Sequence, residues 1–527
     1  MELRLQPDTV ANQPPPLAGY DLFAENRPLV EALRREGGAA WEDRVGELGA
    51  ELGGEPLEWG RLANEHPPQL RTHDRFGRRI DEVEFHPAWH ALLELAVEHG
   101  IHALPWREPG PGAHVARAAM FVTLGQAEAG VGCPVSMTAA AVPALRVEPS
   151  LAAEWEPRLT SLAYEPELLP ADAKAGALCG MAMTERRGGS DVRANETRAR
   201  PAGDAWLLDG EKWFCSAPMS DAFLVLAQTD AGLSCFLVPR VLPHGERNGI
   251  RLERLKDKLG NRSNASAEIA LEGALGHLVG EEGRGVRTIV EMVVHTRLDC
   301  VLGSTALMRR AVAEATHHAA YRSAFGRRLV EQPLMLNVLA DLCLESEAAT
   351  ATALRLARAF DEGGPFRRLA TAVTKYWVCK RTPGLVAEAL ECLGGNGYVE
   401  ESGLPRLFRE SPLNSIWEGS GNVIALDVLR TIDREPASLE AFLAELEPVP
   451  RTHAERALAE TDEGGARRLV ETLAVALQAS LLLRHAPAEV SDAFVASRLD
   501  GDGGRQYGTL AKGAALDEIV ERHRPRV

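Results

Sequence analysis

Apolar positions recur at helical spacing through the first third of the chain, and residues 29–51, 89–102, 112–128 and 133–145 read as helices separated by Pro-rich breaks. The first eighteen residues are polar and carry Pro14-Pro15-Pro16, which predicts an extended arm. From about Leu178 the period shortens. Trp206-Leu207-Leu208 and Lys212-Trp213-Phe214-Cys215 flank Asp209-Gly210, and this predicts a hairpin because a type I′ turn needs positive φ. Residues 223–228 and 233–239, joined by Asp230-Ala231-Gly232, and then 250–255 and 267–271, complete a small antiparallel β-unit. After Gly280 to Gly285 the helical period returns at Val286, Ile289, Val290, Val293 and Val294, and it recurs in 333–360 and 366–393, the latter interrupted at Pro383. Long helices with short connections predict an antiparallel bundle. The expectation is an α+β multidomain chain: 1–177 helical, 178–280 a β-barrel domain, 281–432 a helical bundle and 433–527 a helical extension.

Composition narrows the function classes. A chain of 527 residues with 45% hydrophobic and 25% charged residues is long enough to bury a cofactor. Its net charge of −17 repels phosphate polymers, so nucleic acid is not the default partner. Eight cysteines lie without a C-x-x-C pair or a metal-like spacing to histidine, so they read as reduced packing residues and no metal site is expected. No apolar run is long enough to span a bilayer, and the start lacks a basic segment followed by an apolar one, which predicts a cytoplasmic protein without membrane association.

Four segments carry candidate chemistry. Thr184-Glu185-Arg186-Arg187-Gly188-Gly189-Ser190-Asp191 opens the β-unit with glycines that let a ligand approach and hydroxyls that can donate to it; it also reads as a plain polar turn. Phe214 and Ser216, two apart on a strand, share a face that could line a ring or simply be core and surface. Arg322-Ser323-Ala324-Phe325-Gly326 offers a cation and an aromatic suited to a pyrophosphate and a base, and reads equally well as a helix end with Gly326 at C′. In Asn414-Ser415-Ile416-Trp417-Glu418-Gly419-Ser420-Gly421-Asn422 one carboxylate stands between bulky apolar residues and flexible glycines, surroundings that suit a general base. The rival there is a capping box, Ser415-x-x-Glu418, but Gly419 and Gly421 follow at once and Ser420 is the better N-cap.

Together, in this order, and with Leu393-Gly394-Gly395-Asn396-Gly397, these segments resemble the acyl-CoA dehydrogenase family. Pro87-Ala88-Trp89-His90, the run Lys256 to Asn264 and Asn414 to Asn422 resemble its AidB-like branch, named for the adaptive response to DNA alkylation and similar to isovaleryl-CoA dehydrogenases. The resemblance implies FAD-dependent α,β-dehydrogenation of a short or branched acyl-CoA, with Glu418 as catalytic base. It assigns Thr184, Ser190, Phe214 and Ser216 to the flavin ring, and gives Arg322, Phe325, Gly394 and Gly395 to the adenosine end of a neighbouring subunit's FAD, which implies a homotetramer. It adds Met181, Met183, Gly189, Cys215, Trp417, Gly419, Ser420 and Asn422 to the cofactor-binding set. Trp417 stands where the wider family has tyrosine, which implies a narrower acyl slot. The branch also implies an alternative, a flavoprotein that binds or protects DNA. Residues 441–527 oppose it with eleven Lys and Arg against fourteen Asp and Glu, a net −3.

Overall fold

The computed structural model describes residues 12–527. The N-terminal region contains α1 (Arg27–Leu33), α2 (Glu42–Leu52), α3 (Glu55–Glu65), a hairpin of β1 (Gln69–His73) and β2 (Arg79–Glu84), then α4 (Pro87–Glu98), α5 (Leu104–Arg107), α6 (Ala113–Ala127), α7 (Gly132–Leu145) and α8 (Pro149–Leu159). The single helix expected over 29–51 breaks after Leu33, where Gly37 takes φ 100°. Almost every residue of α6 and α7 is buried, as befits helices that are apolar all round. The β1–β2 hairpin was not expected, because its arginines and acids hide the period-2 signal.

The central sheet holds β3 (Cys179–Ala182), β4 (Arg198–Ala202), β5 (Ala205–Ser216), β6 (Ala222–Thr229), β7 (Gly232–Pro239), β8 (Ile250–Leu255) and β9 (Ser266–Leu278). Its order is β3-β6-β4-β5-β9-β7 with β8 on β9, and a further β6–β7 pairing closes it into a barrel-like ring. The expectation of a wholly antiparallel unit needs correction, because β3 and β4 both pair with β6 in parallel. The predicted hairpin at Asp209-Gly210 does not form either. β5 runs straight through it, and the turn lies at Gly203-Asp204, where Gly203 supplies φ 65°. Asp209-Gly210 is instead a bulge against β9, and a Cβ on Gly210 would meet Thr197 Oγ1 at 2.6 Å.

The bundle begins with α9 (Gly285–Tyr321), continues through a two-residue hairpin of β10 (Ser323–Ala324) and β11 (Arg327–Arg328), and adds α10 (Pro333–Glu362), α11 (Phe366–Cys392), α12 (Gly395–Tyr398), α13 (Leu404–Glu410) and α14 (Gly421–Arg434). α11 passes Pro383 without interruption, because its packing against α9, α10 and α17 outweighs the one lost backbone bond. The extension comprises α15 (Pro436–Ala444), α16 (Pro448–Glu460), α17 (Ala466–His485), α18 (Ala488–Phe494) and α19 (Leu516–His523). It is stitched back onto the body: α17 packs on α10 and α11, and α19 packs on α10 while Arg309 Nη1 donates to the His523 carbonyl at 2.7 Å. Among the described residues no helix is long and apolar enough to cross a membrane, and no group of three His, Cys, Asp or Glu could hold a metal. All eight cysteines are buried and unpaired.

Candidate active site

Glu418 sits in the loop between a turn at Leu413–Ser415 and the start of α14, and its backbone is left-handed at φ 58°. For a residue with a Cβ that conformation costs roughly 1–2 kcal/mol, so something must hold it. Three carbonyls in a row are fastened by two cations. Lys375, buried in the middle of α11, donates from Nζ to the Trp417 carbonyl at 2.8 Å and to the Gly419 carbonyl at 2.5 Å. Arg297 of α9 donates from Nε to the carbonyl of Glu418 itself at 3.0 Å. Hydrogen bonds from charged donors contribute about 1.5–3 kcal/mol each, enough to outweigh the strain. Gly419 follows at φ 106°, where a side chain would be strained and would press on Ile424. The capping box therefore does not form, and Ser420 takes the N-cap position of α14 without a side-chain cap bond.

The carboxyl group is treated quite differently from its own backbone. Its Oε2 is enclosed and has no hydrogen-bond partner. Burial pushes the Glu418 carboxyl above the usual range, opposed by the Thr296 hydroxyl and by the charges of Arg297 and Lys375. Arg297 makes no ion pair with it: its Nη1 goes instead to Asp427 at 2.8 Å, and Asp427 is gripped by Arg368 as well. An unpaired, desolvated carboxylate that is still neighboured by cations is what proton abstraction needs. Beside it, Trp417 donates from Nε1 to Asn414 at 2.9 Å, which fixes the indole plane.

Trp417, Met181 and Met183 are partly buried against the same apolar cluster, which includes Cys133 and Met137. The turn that follows β3 is shaped by Glu185, whose buried carboxylate accepts from the backbone N–H of Thr197 and from Lys212 Nζ at 2.6 Å. That leaves Thr184 half-buried, and Gly189 and Ser190 at the surface. Trp213 N–H donates to the Thr184 carbonyl at 2.8 Å and so ties the turn to β5. On β5, Phe214 is exposed with Lys256 Nζ 4.7 Å from its ring, and Ser216 is half-buried with its Oγ 3.0 Å from Ser266 Oγ. The strand's pleat turns the Cys215 side chain the other way, into the core, where burial pushes its thiol up to about 12. A ligand on the outer face of β5 would meet the backbone of Cys215 and not its thiol. Asn422 is exposed on the first turn of α14.

The remaining expected residues lie elsewhere. Arg322 is the C-cap of α9 in an extended conformation, and Phe325 and Gly326, at φ 52° and 80°, form the tip of the β10–β11 hairpin. Gly326 is therefore not a C′ residue. Phe325 is 99% exposed among the described residues, an aromatic ring on a tight turn. Gly394, at φ 59°, precedes α12, and Gly394 and Gly395 are both exposed with open space where a Cβ would stand. Segment 12–13 bridges these two turns: Arg322 Nη1 donates to the Asn12 carbonyl at 2.6 Å, and Asn396 donates to Gln13 at 2.8 Å. Arg322 stands about 38 Å along α9 from Arg297, well away from the Glu418 loop of its own chain.

The arrangement can be set beside known proteins. The chain matches the adaptive response protein AidB N-terminal domain over 12–166 and the acyl-CoA dehydrogenase middle and C-terminal domains over 180–274 and 283–432. It is 52% identical over 440 residues to the putative acyl-CoA dehydrogenase AidB of Escherichia coli (strain K12), covering 82% of this chain and 81% of that one. The chain belongs to the acyl-CoA dehydrogenase family, in its AidB-like branch. It is thereby an acyl-CoA dehydrogenase-type oxidoreductase of a family that generally binds FAD. Its fold is also that of ACDH-11 of Caenorhabditis elegans, solved in complex with C11-CoA, with a TM-score of 0.83, 26% identity and coverage of 98% of this chain and 93% of that one. A protein solved as Bd2924 in its apo form gives a TM-score of 0.83 at 29% identity, covering 90% and 99%.

Sequence reasoning left Arg297 unassigned and passed over Lys375. A signal for Lys375 does exist. It is a single cation in the run Ala372-Val373-Thr374-Lys375-Tyr376-Trp377-Val378, and a lysine in an apolar helical stretch needs a buried acceptor.

Proposed function

We propose that this protein removes the α-proton of a short or branched acyl-CoA thioester with Glu418 while the β-hydrogen leaves toward a bound FAD. The observation that carries this reading is the enclosed Oε2 of Glu418, which has no hydrogen-bond partner among the described residues. The residues present suit the cofactor. In this reading Thr184, Gly189, Ser190, Phe214 and Ser216 offer hydroxyls, backbone and an aromatic face to its ring, and Trp417, Gly419, Ser420 and Asn422 complete the set from the loop around Glu418. When bound, FAD supplies the acceptor for the β-hydrogen as hydride. The chain's own part is to hold the acyl group against the indole, to keep water from the carboxyl, and to accept the α-proton at Glu418 Oε2. Trp417 restricts the slot on one side, which favours short or branched chains.

Arg322 stands at the far end of α9 from Arg297, Phe325 lies on the hairpin beyond it and Gly394 and Gly395 precede α12, and the exposed Phe325 ring favours use of these residues by a second subunit, hence a homo-oligomer. In this reading dilution to monomers releases FAD, and Arg322→Ala weakens its retention. Full retention by a monomer would show the site to be complete in one chain.

The decisive experiment is anaerobic addition of isovaleryl-CoA or butyryl-CoA to the FAD-loaded protein. Bleaching of the flavin is expected in the wild type, and Glu418→Gln is expected to keep FAD while the bleaching rate falls by at least about 1,000-fold. Equal bleaching by the variant refutes Glu418 as the base.

A further inference from the structure

We propose that Lys375 is the positioning residue of the base: its Nζ fastens the carbonyls on both sides of Glu418 and, with Arg297 on the carbonyl between them, keeps the carboxyl in the one backbone state that leaves it unpaired. The inference rests on Glu418 being the base.

Two observations carry it. The first is the choice of acceptor. Lys375 is fully buried, and a buried ammonium is ordinarily matched with a carboxylate, yet both of its hydrogen bonds go to main-chain carbonyls, those of Trp417 and Gly419. A carboxylate stands between those two residues and is passed over. The second is the backbone itself. Glu418 is one of six non-glycine residues at positive φ among the described residues, and the three successive carbonyls around it are all held by cations from two different helices, α9 and α11. Releasing the Trp417 and Gly419 carbonyls lets the loop relax toward an ordinary conformation, which swings the carboxyl away from its place beside Thr296.

The geometry also sets the charge environment. The groups that face the Glu418 carboxyl are Thr296, Arg297, Asp299 and Cys300 from α9, Lys375 from α11 and Cys133 from α7, with Asp427 of α14 reached only through Arg297. Asp299 is itself held by Arg117 through two hydrogen bonds, at 2.6 and 2.8 Å, so it stays engaged. Of the two cations that favour the ionised base, Arg297 is tied to Asp427, and Lys375 is the one with no acidic partner. Its positive charge therefore acts on Glu418 without being offset, and its removal makes the base harder to ionise.

The test compares Lys375→Met, which removes both donor and charge, with Lys375→Gln, which keeps a donor and loses the charge. FAD content, thermal unfolding and the pH dependence of single-turnover bleaching are measured with whichever of isovaleryl-CoA and butyryl-CoA bleaches the wild type faster. For Lys375→Met the bleaching rate is expected to fall about 100-fold, as a displaced catalytic group does, while FAD remains bound. For both variants the acidic limb of the rate profile moves to higher pH, and KM changes less than the limiting rate. A purely structural lysine would lower stability or FAD content and leave the limb in place. If Lys375→Met, or Lys375→Gln should the first not fold, bleaches with wild-type rate and an unmoved limb while Glu418→Gln does not bleach, the positioning role is overturned and the base stands. If Glu418→Gln still bleaches, it is the base assignment that fails.

Discussion

The base loop and the C-terminal extension use the same kinds of charge to opposite ends. Around Glu418 the cations are spent on backbone carbonyls and the carboxylate is left without a partner. In the extension, side chain is matched with side chain: Arg498 pairs with Asp341 and Glu345, Arg522 with Glu31 and Glu347, Arg484 with Glu445 and Glu447, and Arg451 with Glu455. On the proposed reading, the difference separates a region built to react from one built to stay. A reacting carboxylate must be kept from its natural neighbours, which requires strain and a scaffold to hold it, whereas a docked domain gains by satisfying every ion.

The comparison can be broken in several ways, beginning with the largest effect. Arg297→Met is expected to lower the bleaching rate by about 100-fold or more, because it frees the Glu418 carbonyl and takes one of the cations from Asp427. A rate within about threefold of wild type would show that the loop does not need its scaffold.

The extension offers the matching test of stability. Burial pushes the Glu347 carboxyl up, but His523 and Arg522 outweigh it and hold it down from the ordinary 4.5 to about 2. The folded protein thus binds that proton less readily than the unfolded chain. The stability it contributes is fully present above about pH 4.5 and is lost as the pH falls toward 2. Glu347→Gln is expected to cost on the order of 2–3 kcal/mol at pH 7, with the deficit to wild type narrowing below pH 4.5 in denaturant unfolding. A deficit that does not vary with pH would mean that the pair contributes by packing alone. The smallest effect belongs to the exposed pair Arg451 and Glu455, where Arg451→Ala is expected to change stability by less than about 0.5 kcal/mol.

The same pairing bears on nucleic acid. Arginines 451, 484, 498, 522, 524 and 526, six of the eleven Lys and Arg in residues 441–527, are already matched with acids, which lowers the charge left to replace counterions. Duplex DNA is expected to bind weakly or not at all at physiological salt, with or without residues 441–527. Tight binding lost on that deletion would move the DNA-associated reading ahead of the metabolic one.

Much of this was legible in the chain. The bundle helices announce themselves by a long apolar period, and the local balance of Arg451 with Glu455 and Arg524 with Glu521 follows from their spacing. The Asn414 to Asn422 segment declared its carboxylate because few other roles suit a glutamate before Gly-Ser-Gly. What could not be read were choices made between distant parts of the chain. Gly203-Asp204 and Asp209-Gly210 are equally good turns in sequence, and only the pairing of β5 with β9 decides between them. Pro383 reads as a break because the packing that carries α11 past it comes from other helices. Likewise Lys375 and Glu418 stand 43 residues apart, and nothing local says that one serves the other.

The claim at the centre, that Glu418 is kept unpaired in order to take an α-proton, is tested most directly by hydrogen exchange at that carbon. FAD-loaded wild-type protein and Glu418→Gln are incubated with isovaleryl-CoA or butyryl-CoA in heavy water, and deuterium at the α-carbon is followed by mass spectrometry. The account predicts rapid incorporation by the wild type and a rate at least about 1,000-fold lower in the variant, with FAD retained by both. Equal incorporation by the two proteins would contradict it.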